Sequence, residues 1–281
     1  MLGSAFARAL AGQPLRKAGR QALNVRDPAA VARLVAGEDF VINCAAHTDV
    51  EAAERDPEPA YAANAVLPGL LAQACRQEGA VLVHMSSVGC YGDWKAEAYV
   101  EEDPLRPTTV HHRSKALGED GVRNSGCEHL ILRMGWLFGG APGARKNFVW
   151  SRLVEARGAA TLTSDSVQRG VPTRTSDVAR ATLELLSAGV RGTFNLVAQG
   201  SASRYQYVSA IVERSGLPCR VEPGPAFRRQ AAVPSNETAV NQRLASMGLD
   251  GMGPWRPSLD DDVDALMASP EWRATQAGRR V

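Results

Sequence analysis

His111 and Lys115 stand four residues apart, so on a helix they share one face a single turn from each other. An imidazole titrates at about 6.5 in its ordinary state and can give or take a proton near neutrality. A neighbouring ammonium biases that titration and can hold a hydroxyl-bearing ligand. Ser86 and Ser87 close the apolar run that begins at Ala80, where a hydroxyl can bind a carbonyl oxygen or cap the next turn. A donor, an ammonium and a hydroxyl of this kind suit proton donation to a carbonyl as it is reduced.

These groups need a scaffold. Residues 112–124 read as a helix, and Ala80–Ser87 as a strand ending in polar residues. Phe40–Ala46 reads as a short buried strand, and Cys127–Met134 as another. Helices are expected over Ala5–Leu10, from Asp27-Pro28 to Val35, and over Ala60–Glu78 with a bend near Pro68-Gly69. Strands alternating with helices predict an α/β fold: a parallel sheet covered on both faces. Further on, Asn147–Ala156, Thr175–Leu186 and Tyr205–Ser215 read as helices and Gly192–Val197 as a strand. Pro218–Pro225 reads as a joining stretch, and Asp260-Asp261-Asp262 as a helix start rather than a metal site. Residues 1–140 are expected to form a Rossmann-like region of the kind that binds nucleotides, and residues 141–281 mainly a smaller C-terminal lobe, substrate-binding by the resemblance described below, with segments returning to the main domain.

With 281 residues the chain can bury a substantial core. Its net charge of +2, from 32 basic and 30 acidic residues, carries no signal for nucleic acid or a membrane surface. The five cysteines are scattered without a CxxC pair, which predicts free thiols rather than a disulfide frame. No run reaches transmembrane length and none has the form of a secretory signal, so a cytoplasmic location is expected. The five histidines show no metal-ligand spacing, and no metal is expected.

A parallel nucleotide-binding sheet usually begins with a strand and a Gly-rich turn. Here Met1-Leu2-Gly3-Ser4 leads directly into helix, and only Gly3 can represent the last glycine of such a turn. The expectation is a Rossmann-like parallel sheet lacking its usual first strand, with weakened or lost nucleotide binding, whether through a shortened start or genuine loss.

Several stretches together carry a family likeness: Asn43-Cys44-Ala45-Ala46-His47-Thr48-Asp49-Val50-Glu51-Ala52-Ala53-Glu54, Asn64, Ser114-Lys115-Ala116-Leu117-Gly118-Glu119, Ile131–Gly139, Asn147-Phe148-Val149 and Gln168–Thr173. In their order and spacing the chain resembles the dTDP-4-dehydrorhamnose reductase family, within the extended short-chain dehydrogenase/reductase fold. The resemblance runs from Gly3 to the Trp255-Arg256 region. It implies NADPH or NADH as cofactor and reduction of the C4 ketone of a nucleotide-linked 6-deoxy-4-keto sugar. Carried over by position, it implies Lys115 on the nicotinamide ribose and tuning the acid, Ser87 on the substrate carbonyl, and His111 in the acid's place. Gly3, Ala45, Ala46 and Asn64 would serve the cofactor, Asn64 through the nucleotide or the backbone. Trp136 would stand by the sugar, Asn147 and Gln168 would hold the sugar nucleotide, and Arg145 or Lys146 would lie near its phosphates.

The departures gather at the chemistry. The family carries Tyr where this chain has His111, and Ser-Thr-Asp-Tyr-Val-Phe-Asp-Gly where it has Ser86-Ser87-Val88-Gly89-Cys90-Tyr91-Gly92-Asp93. Asn24 stands where an aspartate is usual, and Arg133-Met134-Gly135-Trp136 where the family has Arg-x-Ser-Trp. His111 therefore has three readings: a substituted acid, a phosphate or sugar contact, or an inert replacement. Ser87 has two, carbonyl ligand or turn cap. For the whole chain the alternatives are a reductase, a non-redox enzyme on the same fold, and a catalytically degenerate binding or regulatory subunit, with a homodimer or protein partner compatible with each.

Overall fold

The computed structural model describes residues 1–19, 24, 25 and 27–277; the last residues of the expected C-terminal lobe, 278–281, lie outside it. Helix α1 (Leu2–Ala9) comes first. Helix α2 (Pro28–Val35) starts as its cap-then-proline signal predicts, the Asp27 carboxylate accepting from Ala30 N at 2.9 Å. Strand β1 (Phe40–Asn43) is shorter than the apolar run, because the Asn43 side chain accepts from Ala45 N at 3.1 Å and turns the chain. Helix α3 (Val50–Arg55) is capped by Asp49.

The long helix expected over Ala60–Glu78 is instead three pieces: α4 (Glu58–Tyr61), a π-helical turn (Ala62–Val66) and α5 (Leu67–Glu78). The irregularity sits ahead of Pro68, not at Pro68-Gly69. Pro68 removes an N–H near the start of α5, and the wide turn accommodates its ring.

Strand β2 (Val81–Ser87) leads into a 3-10 turn (Val88–Tyr91), and α6 (Val110–Ser125), capped by Thr109, precedes β3 (His129–Met134). Then come β4 (Leu137–Phe138), α7 (Phe148–Gly158), β5 (Thr161–Asp165), β6 (Arg169–Gly170) and β7 (Thr173–Arg174). They are followed by α8 (Thr175–Ser187), β8 (Gly192–Asn195), β9 (Ala202–Ser203) and α9 (Arg204–Ser215). The chain ends with β10 (Arg220–Gly224), β11 (Asn236–Glu237), α10 (Gln242–Ser246), α11 (Trp255–Met267) and α12 (Pro270–Ala277).

The main sheet runs β1-β2-β3-β8, every pair parallel. Ala5 and Phe6 of α1 and Val178, Ala179 and Leu185 of α8 pack on one face, against Val83, Met85, Leu130 and Leu132. Val31 and Val35 of α2, Leu71 and Cys75 of α5 and Val122 of α6 pack on the other, against Leu82 and Ile131. Burial on both faces explains why β2 is a continuous apolar run and not an alternating one. Among the described residues β1 pairs with no strand on its outer side, and Phe40 there is 47% exposed. This is the doubly covered Rossmann-like sheet expected from the sequence.

A second core gathers around the buried Tyr207 ring, with Phe138, Leu153, Ile211, Leu259 and Trp272. Two expectations in this part are corrected. The Pro218–Pro225 stretch contains β10, paired in parallel with β5, an edge position where proline's missing donor does no harm. The acidic run does not start a helix but lies inside α11, with Asp260 held by Arg256 one turn earlier and Asp261 and Asp262 facing Arg174. Among the described residues no helix is long and apolar enough to cross a membrane, and no cluster of metal ligands forms. All five cysteines are free thiols.

Candidate active site

Parallel strands bring Asn43, Ser87, Met134 and Asn195 to one end of the sheet, where ligands of open α/β sheets bind. Helix α6 crosses behind that end and carries Lys115 to it. Gly118 permits the close crossing: a Cβ there would meet the Asn64 carbonyl oxygen at 2.0 Å. The Lys115 ammonium is buried and donates to Met85 O of β2 at 2.8 Å. Burial pushes its pKa down to about 8, with Cys90, Glu119 and Cys44 opposing.

The π-helical turn presents Asn64, whose carboxamide accepts from His47 N at 2.9 Å and donates to His47 O and Ser114 Oγ at 3.0 Å. Asn64 thus ties the segment after β1 to α6. Ala45 and Ala46 lie in that segment. The first turn of α1 sits beside it, a Cβ at Gly3 falling 3.6 Å from Cys44 Cβ. Ser87 caps the 3-10 turn, its Oγ accepting from Gly89 N at 3.2 Å. That bond uses a lone pair and leaves the hydroxyl proton available.

His111 is placed in register with Lys115 but not as a ready acid. Its Nδ1 lies 2.9 Å from His47 O, and since a carbonyl only accepts, Nδ1 carries the proton. Burial, aided by His112 and Lys115, holds its pKa down to about 3. The ring is neutral at pH 7 and its Nε2 is an acceptor.

Sequence reasoning missed the other side of the site. His112, buried one residue on, turns its Nε2 to 3.7 Å from Glu237 Oε1 of β11. Glu237 Oε2 accepts from Trp136 Nε1 at 2.8 Å and Gln168 Nε2 at 3.1 Å. The Gln168 oxygen in turn accepts from Arg204 Nε at 3.2 Å, and the guanidinium lies 3.4 Å over the Trp136 ring. Two expected sugar-side residues are therefore joined, and their link is a buried carboxylate that no motif announced. The Arg204 pKa is brought down to about 10 by burial, with Glu237 opposing.

The remaining expected residues fall elsewhere. Asn147 is fully buried as the cap of α7, accepting from Trp150 N at 3.1 Å and donating to Gly140 O and Ala141 O at 3.3 Å. In this structure its carboxamide is engaged with the backbone around α7. Lys146 bonds Thr48 Oγ1, next to the His47 segment, and Arg145 is exposed. Beneath the site, Glu119 of α6 binds Arg133 of β3 through two nitrogens and accepts from Ser86 Oγ at 2.5 Å, and Arg133 donates to Tyr91 OH at 2.9 Å. Tyr91 is a packed aromatic in this network.

The family model described as the RmlD substrate binding domain matches residues 1–268. The dTDP-4-dehydrorhamnose reductase of Mycolicibacterium smegmatis is 36% identical over 251 residues, covering 88% of this chain and 76% of that one. The crystal structure of a dTDP-4-dehydrorhamnose reductase from Clostridium acetobutylicum superposes with a TM-score of 0.90 at 29% identity, covering 95% and 96% of the two chains. That of the Bacillus anthracis enzyme in complex with NADP has a TM-score of 0.89 at 24% identity, covering 94% and 95%, and shares the fold.

Proposed function

We propose, from the premise that this chain belongs to the dTDP-4-dehydrorhamnose reductase family, that it reduces the C4 ketone of a nucleotide-linked 6-deoxy-4-keto sugar with NADPH or NADH. The observation that carries this reading is Lys115, a buried ammonium at the carboxyl end of β2, one strand from the small residues Ala45 and Ala46. A buried ammonium with one acceptor among the described residues, a backbone carbonyl, has donors left for hydroxyls such as those of a ribose. The start of α1 carries no acidic residue in its first turn, which suits phosphate groups. When bound, the dinucleotide supplies hydride to the ketone carbon.

The chain's own residues do the rest. Ser87 donates a hydrogen bond from its free hydroxyl to the ketone oxygen and stabilises charge developing there. Lys115 holds the ribose and adds positive field. Trp136 and Gln168 present one wall of the sugar side, fixed by Glu237. Asn64 holds the His47 segment in place.

A calorimetric titration with NADPH and, separately, NADH tests the cofactor half. Loss of reduced-nicotinamide absorbance with dTDP-4-dehydrorhamnose tests the reaction. Saturable binding and turnover are expected; a folded protein that binds neither dinucleotide refutes the reading. A second reading, binding without turnover, draws on His111: a neutral ring with its proton committed to His47 O is no donor for an alkoxide. Saturable binding with no turnover would select it.

A further inference from the structure

We infer that His112 and Glu237 form the proton-supplying couple of this site, seated in space opened by Gly89, in place of a donor at position 111. The inference rests on the reductase reading above. Three residues distant in sequence exclude one another's alternatives. A Cβ at position 89 would lie 2.2 Å from His112 Nε2 and 2.8 Å from Glu237 Oε1, so any side chain there would displace the imidazole and press on the carboxylate. The family pattern has a tyrosine at this position after β2; here the bulk is supplied from α6 instead. Ser87, the expected ligand of the ketone oxygen, bonds the Gly89 N–H directly. The imidazole is therefore packed on the same turn that presents the hydroxyl.

The carboxylate is aimed. Trp136 and Gln168 both donate to Oε2, which leaves Oε1 turned to His112. The His112 Nδ1 is buried and has no hydrogen-bond partner among the described residues, an orphaned polar atom on a ring whose other nitrogen faces Glu237. His111, by contrast, has its one proton bound to a carbonyl.

In the step itself the ketone oxygen, having gained the C–O π pair as the reductant's hydride bonds to carbon, forms an O–H bond while an imidazolium N–H bond of His112 breaks. Water restores the proton, and Glu237 stays ionised throughout. The charged and titratable groups facing His112 are Glu237 from β11, Glu54 from α3, and His111 and Lys115 from its own helix. Burial outweighs the favourable fields of Glu237 and Glu54 and, with Lys115 opposing the charge as well, leaves the His112 pKa below its ordinary value, so the imidazolium that donates is the minority form at neutral pH.

The test combines turnover with a signal independent of it. His112→Gln, which keeps size and hydrogen bonding, is expected to lower kcat at least about 100-fold while the Kd for NADPH stays within about threefold. In the protein without cofactor, the His112 ring resonance followed by NMR is expected to titrate about one pH unit lower in Glu237→Gln than in wild type. The alkaline fall in kcat/KM shifts the same way, since the protonated form is the active one. Gly89→Ala, which crowds the ring, is expected to perturb that resonance and reduce kcat. Wild-type turnover with an undiminished kcat in His112→Gln overturns the couple alone. An unshifted His112 titration in folded Glu237→Gln overturns the pairing whatever the activity. Wild-type protein that binds neither dinucleotide nor reduces the sugar overturns the reductase reading and the couple with it.

Discussion

Helix α6 carries two buried polar regions that are built on opposite terms. Toward β3, Glu119 meets two nitrogens of Arg133, one of Arg123 and the Ser86 hydroxyl. The network continues through Tyr91 to Asn195, where Tyr91 OH donates at 2.8 Å. One turn or more before it, among the described residues, the His111 ring has one hydrogen-bond partner and His112 Nδ1 none, while Lys115 donates to one carbonyl. The first region is saturated: its charges stay because each carboxylate oxygen of Glu119 and each nitrogen of Arg133 has a partner. The second keeps unused donors and acceptors, a cost in stability that a site meant to bind something else must carry. Saturation fixes where α6 lies, and the unsaturated turn is what it delivers.

The largest effect is expected from breaking the saturated side. Glu119→Ala leaves the Arg133 guanidinium buried without its carboxylate, and removing one partner of a buried pair costs about 3–5 kcal/mol. Urea unfolding should show that loss. A change below about 1 kcal/mol would mean that the network is solvated after all and does not anchor the helix.

The unsaturated side should announce itself through pH. Burial lowers the His111 and His84 pKa values to about 3, against 6.5 when unfolded. A depressed folded pKa means that the unfolded chain takes up the proton first as the pH falls. Their contribution to stability is then full above pH 6.5 and is lost progressively down to about pH 3. Each group adds about 1.4 kcal/mol per pH unit to that slope. His111→Gln should flatten the wild-type stability curve between pH 6 and 4.5 by about that increment per unit. Identical slopes would place a water or a proton at His111 and return it to the candidates for an acid.

The contrast also explains what the sequence made legible. The doubly covered sheet was readable because hydrophobic runs of strand length alternate with helical ones, and the Asp27-Pro28 start is a purely local signal. Lys115, Trp136 and Gln168 stood in motifs whose spacing survives. Glu237 did not, because it reaches Trp136 across 101 residues and Gln168 across 69, from a two-residue strand with no pattern of its own. Its neighbours Asn236 and Thr238 are buried as well, so the faint signal was a polar stretch with no reason to be polar. His112 was read only as part of a helix: which of two adjacent histidines faces the site depends on the angle at which α6 crosses, and Gly118 sets that angle through a contact with Asn64. The β10 strand was hidden by prolines that an edge tolerates.

Asn147 gives the smallest and sharpest division between the two kinds of polar residue. Its place in the motif marks it for substrate, but its carboxamide caps α7 and closes onto Gly140 and Ala141. If it belongs to the saturated class, Asn147→Ala removes a cap bond and leaves two carbonyls less well met, lowering stability by about 1–2 kcal/mol. Asn147→Asp, which keeps the acceptor toward Trp150 N but not the amide donors, should recover part of that loss. KM for the sugar nucleotide should move by less than about twofold in either, since both amide donors and one lone pair of the oxygen are turned to the backbone. A tenfold rise in KM at undiminished stability would instead put Asn147 with His112 and Lys115, among the residues whose hydrogen bonds are completed by what the site binds.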